Sequence, residues 1–125
     1  MKPLYLDHIV IFVTDIKKTE MFYSKFLPAP ESKYKNSISY KLGDTKIFFG
    51  TPYRKPKQKF DKEELGLNHL AFGVKTMPEL KAFEKVLDKA RIKHSGINNE
   101  RHSKKPQIWF DDPNGIRLEF YLRAK

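Results

Sequence analysis

The sequence predicts an α+β fold made of two tandem βαβββ modules. The main observation is an internal repeat, because Leu6-Asp7-His8 recurs as Leu67-Asn68-His69 and the same shift carries Phe22 onto Phe83. Each half also opens with alternating apolar residues, which indicate a strand, and continues with residues that cap helices. About three further strand-like stretches follow in each half, so we expect two mixed sheets with helices outside.

Length and composition are those of one globular domain. The chain has 125 residues, of which 39% are hydrophobic, enough for one core and too few for two independent ones. We predict a first module at about 1–52, a linker rich in proline and charge at about 53–64, and a second module at about 65–125. The N-terminal stretch contains Asp7 and no long apolar run, so we expect no signal peptide, no membrane span and a cytoplasmic location.

The first module begins with a strand whose residues alternate in direction. One face is formed by Leu6, His8, Val10 and Phe12, and the other by Ile9, Ile11 and Val13. We expect both faces to be buried. Asp15 can cap the helix that follows, and strands are predicted at 37–42 and 46–49.

The second module repeats this order. Its first strand carries His69, and its helix begins at a predicted capping box formed by Thr76 and Glu79. The apolar stripe of that helix consists of Leu80, Phe83, Leu87 and Ala90. Strands are predicted at 107–110 and 116–121, joined by the tight turn Asp112-Pro113-Asn114-Gly115.

Three side chains become candidate metal ligands from the direction in which they leave their strands. His8 points away from the helix-facing side of its strand, and His69 shares its face only with the small residues Ala71 and Gly73. Glu119 lies between apolar neighbours on the last strand, where an unpaired buried carboxylate costs roughly 2 kcal/mol or more. A cation would supply its partner.

The chemistry of this set suits one divalent metal ion. The chain has no cysteine, so a metal must rely on imidazole and oxygen ligands. Two imidazoles and a carboxylate form the triad that binds iron, manganese, nickel or zinc and leaves positions for substrate. The plainer interpretation is that the histidines pack by hydrogen bonding and that Glu119 lies at an exposed edge. No residue stands out as a general base, so the catalytic residues are unknown.

Three segments resemble the vicinal-oxygen-chelate family, which includes glyoxalase, fosfomycin-resistance, bleomycin-resistance and extradiol-dioxygenase proteins. They are 6–15, 67–74 and 112–120, and the likeness covers nearly the whole chain. The resemblance implies that the two modules form a U-shaped cleft with the metal on its floor, held by His8, His69 and Glu119. It also implies a homodimer.

Two departures from family patterns bear on the reaction. Glyoxalase I enzymes use a fourth ligand, a glutamate, where this chain has Phe48. The segment from His102 to Glu119 resembles the extradiol-dioxygenase signature, but Trp109 replaces its tyrosine and Glu100 replaces a small or apolar residue. His102 has a simpler interpretation as an exposed loop residue.

Five residues are candidates for substrate binding. They are Arg117, Tyr121, Trp109, Phe48 and His102. Arg117 and Tyr121 share the predicted face of Glu119, and Arg117 could hold an anion through a bidentate pair. Both could equally cover the wall of the cleft.

Three functions remain open from the sequence. The first is an enzyme (lyase, thiol transferase or ring-cleaving dioxygenase) whose metal is chelated by neighbouring oxygens of a small anionic substrate. The second is a metal-free drug-binding protein of the bleomycin-resistance type, which the net charge of +10 opposes because those ligands are cationic. The third, nucleic-acid binding through Arg54, Lys55, Lys57 and Lys59, is opposed by the acidic residues that follow them.

Overall fold

The computed structural model describes residues 1–123 and divides them into two compact units. The first is Met1–Gln58 and the second begins at Lys59, inside the stretch predicted as a linker. Neither helix in the described part of the chain has the length and apolarity needed to cross a bilayer. The α+β class and the repeated βαβββ order are both confirmed.

The first unit is a four-stranded mixed sheet with one helix. Its elements are β1 His8–Phe12, α1 Ile16–Tyr23, β2 Ser32–Tyr34, β3 Ser37–Leu42 and β4 Thr45–Gly50. The strand order is β1-β4-β3-β2, with β1 parallel to β4 and the other pairs antiparallel. Asp15 caps α1 as predicted, because its carboxylate accepts from the Lys18 amide at 2.9 Å. Tyr23 of α1 packs on Phe49 of β4 with ring centroids 4.4 Å apart, so the core lies between helix and sheet.

The second unit has the same topology. Its elements are β5 His69–Val74, α2 Met77–Lys89, β6 Asn98–Asn99, β7 Pro106–Asp111 and β8 Arg117–Leu122. The order is β5-β8-β7-β6, and β5 is parallel to β8. Thr76 caps α2 through the Glu79 amide at 3.3 Å, while the Glu79 carboxylate accepts from the Lys75 amide. Leu80 and Leu87 are fully buried, and Phe83 stacks on Phe120 at 4.3 Å.

One expectation about the first strand is wrong. Ile11 is buried on the helix side of β1, but Val10 is 59% exposed and Phe12 62% exposed on the opposite face. The reason is that α1 covers only one face of the sheet. The alternating pattern located the strand correctly, but apolar residues on its second face do not find cover within residues 1–123.

Strand register confirms the internal repeat at the level of single residues. In the first unit Val10 pairs with Phe48, two residues after His8, and in the second unit Ala71 pairs with Glu119, two residues after His69. Phe48 and Glu119 therefore hold equivalent positions.

Candidate metal centre

The candidate site of the second unit lies on the open face of its sheet, which we define as the face opposite α2. Period-two alternation sends Leu118 and Phe120 into the core and Arg117, Glu119 and Tyr121 to the open face. On β5 that face carries His69, Ala71 and Gly73, and on β7 it carries Gln107, Trp109 and Asp111.

His69 and Glu119 come together on this face. The His69 Nε2 lies 3.4 Å from the Glu119 Oε2, and the side chains are 38% and 14% exposed. Glu119 is thus largely withdrawn from water with an imidazole as its partner. A histidine nitrogen and a carboxylate oxygen that converge in this way suit zinc, iron, manganese or nickel.

Space above the pair comes from its neighbours. Ala71, which pairs with Glu119 across the ladder, has only a methyl group. A Cβ built on Gly73 would meet nothing within 4 Å. On the open face, β5 therefore carries no side chain larger than a methyl group beyond His69.

His8 occupies the corresponding place on the first sheet. Its Nδ1 lies 2.7 Å from the Asp7 Oδ2, and its ring meets Phe48 edge-on with centroids 5.6 Å apart. The side chain is 52% exposed, so its Nε2 can be reached from solvent. The two histidines thus have similar local settings, but the position that Glu119 holds in the second unit is taken by Phe48 in the first.

The three predicted ligands are residue types that bind divalent metals. Two of them, His69 and Glu119, come together within one unit. Among residues 1–123, no three histidine, aspartate or glutamate side chains form a group that could hold an ion. The structure brings together His69 and Glu119, while His8 belongs to the other unit.

Arg117 and Trp109 form a cationic platform beside this pair. The Arg117 guanidinium lies over the Trp109 ring, 4.1 Å from its centroid, and its Nε donates to the Asp111 carboxylate at 2.7 Å. Arg117 pairs with His69 and Trp109 with Glu119 across the ladders. Since arginine has five N–H donors in a fixed fork, the terminal groups can still bind an anion.

Tyr121 contacts the turn that contains His102. The Tyr121 hydroxyl donates to the Ser103 Oγ at 2.6 Å, and the Arg123 guanidinium lies 5.1 Å from its ring centroid. His102 lies in the exposed turn that contains Ser103, as the simpler interpretation of this residue predicts. Its backbone amide donates to the Glu100 carboxylate.

Sequence reasoning missed two polar residues of the second unit. Gln107 lies on the open face, pairs with Tyr121, and donates through Nε2 to Asn98 at 3.2 Å, while its buried Oε1 has no hydrogen-bond partner within residues 1–123. Asn68 contacts the His69 ring directly. Strand alternation could have placed Gln107 on the same face as Trp109. The lack of a hydrogen-bond partner for its Oε1 cannot be predicted from sequence.

The chain is similar to a known protein superfamily over most of its length. The model of the Glyoxalase/Bleomycin resistance protein/Dioxygenase superfamily matches residues 5–120. An uncharacterized protein of Escherichia coli (strain K12), YaeR, is 28% identical over 93% of this chain and 94% of its own length.

Solved structures agree in fold. A glyoxylase/bleomycin resistance protein/dioxygenase domain from Frankia sp. EAN1pec superposes with a TM-score of 0.81 at 22% identity, covering 99% of this chain and 95% of the other. A glyoxalase family protein from Enterococcus faecalis gives 0.75 at 24% identity, covering 94% and 97%. Lactoylglutathione lyase from Agrobacterium tumefaciens gives 0.76 at 15% identity, covering 98% and 96%.

Proposed function

Because the chain belongs to the Glyoxalase/Bleomycin resistance protein/Dioxygenase superfamily, we propose that it is a metal-dependent enzyme acting on a small anionic substrate. One divalent ion, iron, manganese, nickel or zinc, would be held by His8, His69 and Glu119. The observation that supports this most is the convergence of the His69 imidazole and the largely buried Glu119 carboxylate at 3.4 Å. A bound ion would act as a Lewis acid on two neighbouring oxygens of the substrate.

The chain's own residues would bind and orient that substrate. Arg117 carries the positive charge nearest to His69 in the ladder and offers its terminal N–H groups to a carboxylate or phosphate. Trp109 gives an apolar surface beneath the guanidinium.

Phe48 narrows the choice of reaction. It occupies the position that Glu119 holds in the second unit, so the first unit offers His8 and no carboxylate there. We therefore favour a three-ligand lyase, thiol transferase or ring-cleaving dioxygenase over a lactoylglutathione lyase with four ligands.

A metal-free binding protein of the bleomycin-resistance type is the second candidate. It needs the family fold and no metal ligands. The net charge of +10 then selects anionic ligands rather than cationic drugs.

Metal content distinguishes these two functions. We expect protein purified without added metal to contain about one divalent ion per chain by elemental analysis, and His8→Ala, His69→Ala and Glu119→Ala each to lose it. His94→Gln is the matched control, because that imidazole binds Asp88 of α2, at 2.6 Å, away from the open face. A wild type without divalent metal, or three variants that all retain it, would contradict the proposal.

Activity is tested on the metal-loaded protein. The screen uses thiols, catechols and 2-oxoaldehydes with each of the four metals. Turnover of a substrate class that is lost in Glu119→Ala and retained in His94→Gln would assign the reaction. Ligand binding to the wild type without metal, undiminished in Glu119→Ala, would favour the second candidate.

A further inference from the structure

Asn68 makes two hydrogen bonds whose directions are fixed by chemistry. Its side chain lies 2.9 Å from the Lys62 carbonyl oxygen, which can only accept, so the contacting atom must be the amide nitrogen Nδ2. The Oδ1 is then the atom that faces His69, 2.7 Å from the ring Nδ1. Because Oδ1 is also only an acceptor, Nδ1 must carry the proton.

The same contacts determine whether the other ring nitrogen of His69, Nε2, carries a proton. A neutral imidazole has one N–H and one lone pair, so a proton on Nδ1 leaves the lone pair on Nε2. That atom lies 3.4 Å from the Glu119 Oε2. In the neutral ring, the two atoms that face each other on the open face are therefore both electron-pair donors, which is the arrangement that a cation requires.

We propose that Asn68 is a positioning residue that holds His69 in the Nδ1–H tautomer, and that the Lys62 carbonyl holds Asn68 in turn. This inference rests on the proposed metal site and adds to it a residue outside the ligand set. It also gives a role to the end of the predicted linker, because a turn fixes the Lys62 peptide.

That turn is itself well defined. The Asp61 carboxylate accepts from the Glu63 amide at 2.9 Å, and the Asp61 carbonyl accepts from the Glu64 amide at 3.2 Å. The Lys62 carbonyl is thus held by backbone geometry rather than by its own side chain. Histidine ligands that lose such a partner weaken metal binding by about 10–100-fold.

The direct test is the tautomer of His69 in metal-free protein, measured by ¹⁵N NMR at about pH 9, where imidazole rings are neutral. We expect the wild type to show a protonated Nδ1 and an unprotonated Nε2. In Asn68→Leu, which removes donor and acceptor at similar volume, the ring should shift to a mixture or to the Nε2–H form. Asn68→Asp keeps the acceptor, as Asp7 does for His8, and should restore the wild-type tautomer.

Lys62→Ala is the matched control, because it leaves the carbonyl in place, and its spectrum should equal that of the wild type. A protonated Nε2 in the wild type, or an unchanged tautomer in Asn68→Leu, would overturn the inference. Metal titration is then read separately: Asn68→Leu should weaken binding by about 10–100-fold and Asn68→Asp by less. If the wild type binds no metal but shows the Nδ1–H tautomer, the metal site fails and the positioning role stands.

Discussion

Glu100 is the side chain around which the turn after β6 is built. The backbone amides of His102 and Ser103 both donate to its Oε2. The hydrogen bond from the Ser103 amide, helped by the Ser103 hydroxyl and the His102 amide, lowers the pKa of Glu100 below its ordinary value of 4.5. Since Ser103 also accepts from Tyr121, the Glu100 carboxylate helps to hold a side chain of the open face.

The lowered pKa predicts how the turn responds to acid. A carboxylate whose folded pKa is depressed adds stability above its unfolded pKa and loses it as pH falls through the folded value. We expect the His102 and Ser103 amide shifts to move together in an NMR titration below about pH 4.5, and Glu100→Gln to show no such step. Identical titrations of the two proteins would contradict this role.

Residue-level patterns predicted some of the site and could not predict the rest. The direction of Glu119 and the helix cap at Asp15 follow from strand alternation and capping chemistry, which act over a few residues. The contact of Arg117 with Asp111 and Trp109 depends on the pairing of β7 with β8, which alternation alone does not give.

At the scale of elements, the two sheets repeat one register, and an aromatic residue of the first sheet stands where the second has a carboxylate. Phe48 pairs with Val10 as Glu119 pairs with Ala71, so the first unit has no carboxylate at that position. The edge-on contact of Phe48 with His8, at 5.6 Å, shows that a side chain at this position reaches the imidazole.

Phe48→Glu should therefore give the first unit its own histidine and carboxylate pair. We expect metal affinity, measured by calorimetric titration, to tighten by about tenfold, or about 1.4 kcal/mol. Phe48→Gln is the control for the loss of the aromatic ring, since it lacks the charge. Equal affinities for the two variants would mean that Phe48 does not stand at a ligand position.

The strands that sequence located were those with a strong apolar pattern. Ser37–Leu42 was predicted to the residue, and β4, β7 and β8 were placed within one residue at each end. The short strands β2 and β6 were not located, because Ser32–Tyr34 and Asn98–Asn99 are mostly polar and exist through pairing with a neighbouring strand. Their formation is a tertiary effect.

At the scale of the whole molecule, the exposed apolar face of β1 is a candidate contact surface. Val10 and Phe12 are more than half exposed on an edge strand, and together they form an apolar surface of the kind that marks contact sites. We expect the homodimer implied by the family resemblance to use this face.

Phe12→Glu tests that expectation by sedimentation velocity. Placing an unpaired charge in an apolar interface should weaken the dimer by at least about 2 kcal/mol, or roughly thirtyfold in Kd. Met21→Glu is the control, because Met21 is equally exposed but lies on α1. A monomeric wild type, or a Phe12→Glu protein as dimeric as the wild type, would rule out this face as the interface.

The position of Trp109 gives the protein a built-in optical signal. It is the sole tryptophan of the chain, it pairs with Glu119 on the neighbouring strand, and a guanidinium rests on its ring. Residues paired across strands have Cβ atoms about 4.5–5.5 Å apart, so the indole is within quenching range of anything held by Glu119. Occupancy of the open face can therefore be followed through intrinsic fluorescence, with no label added and no second indole to obscure the change.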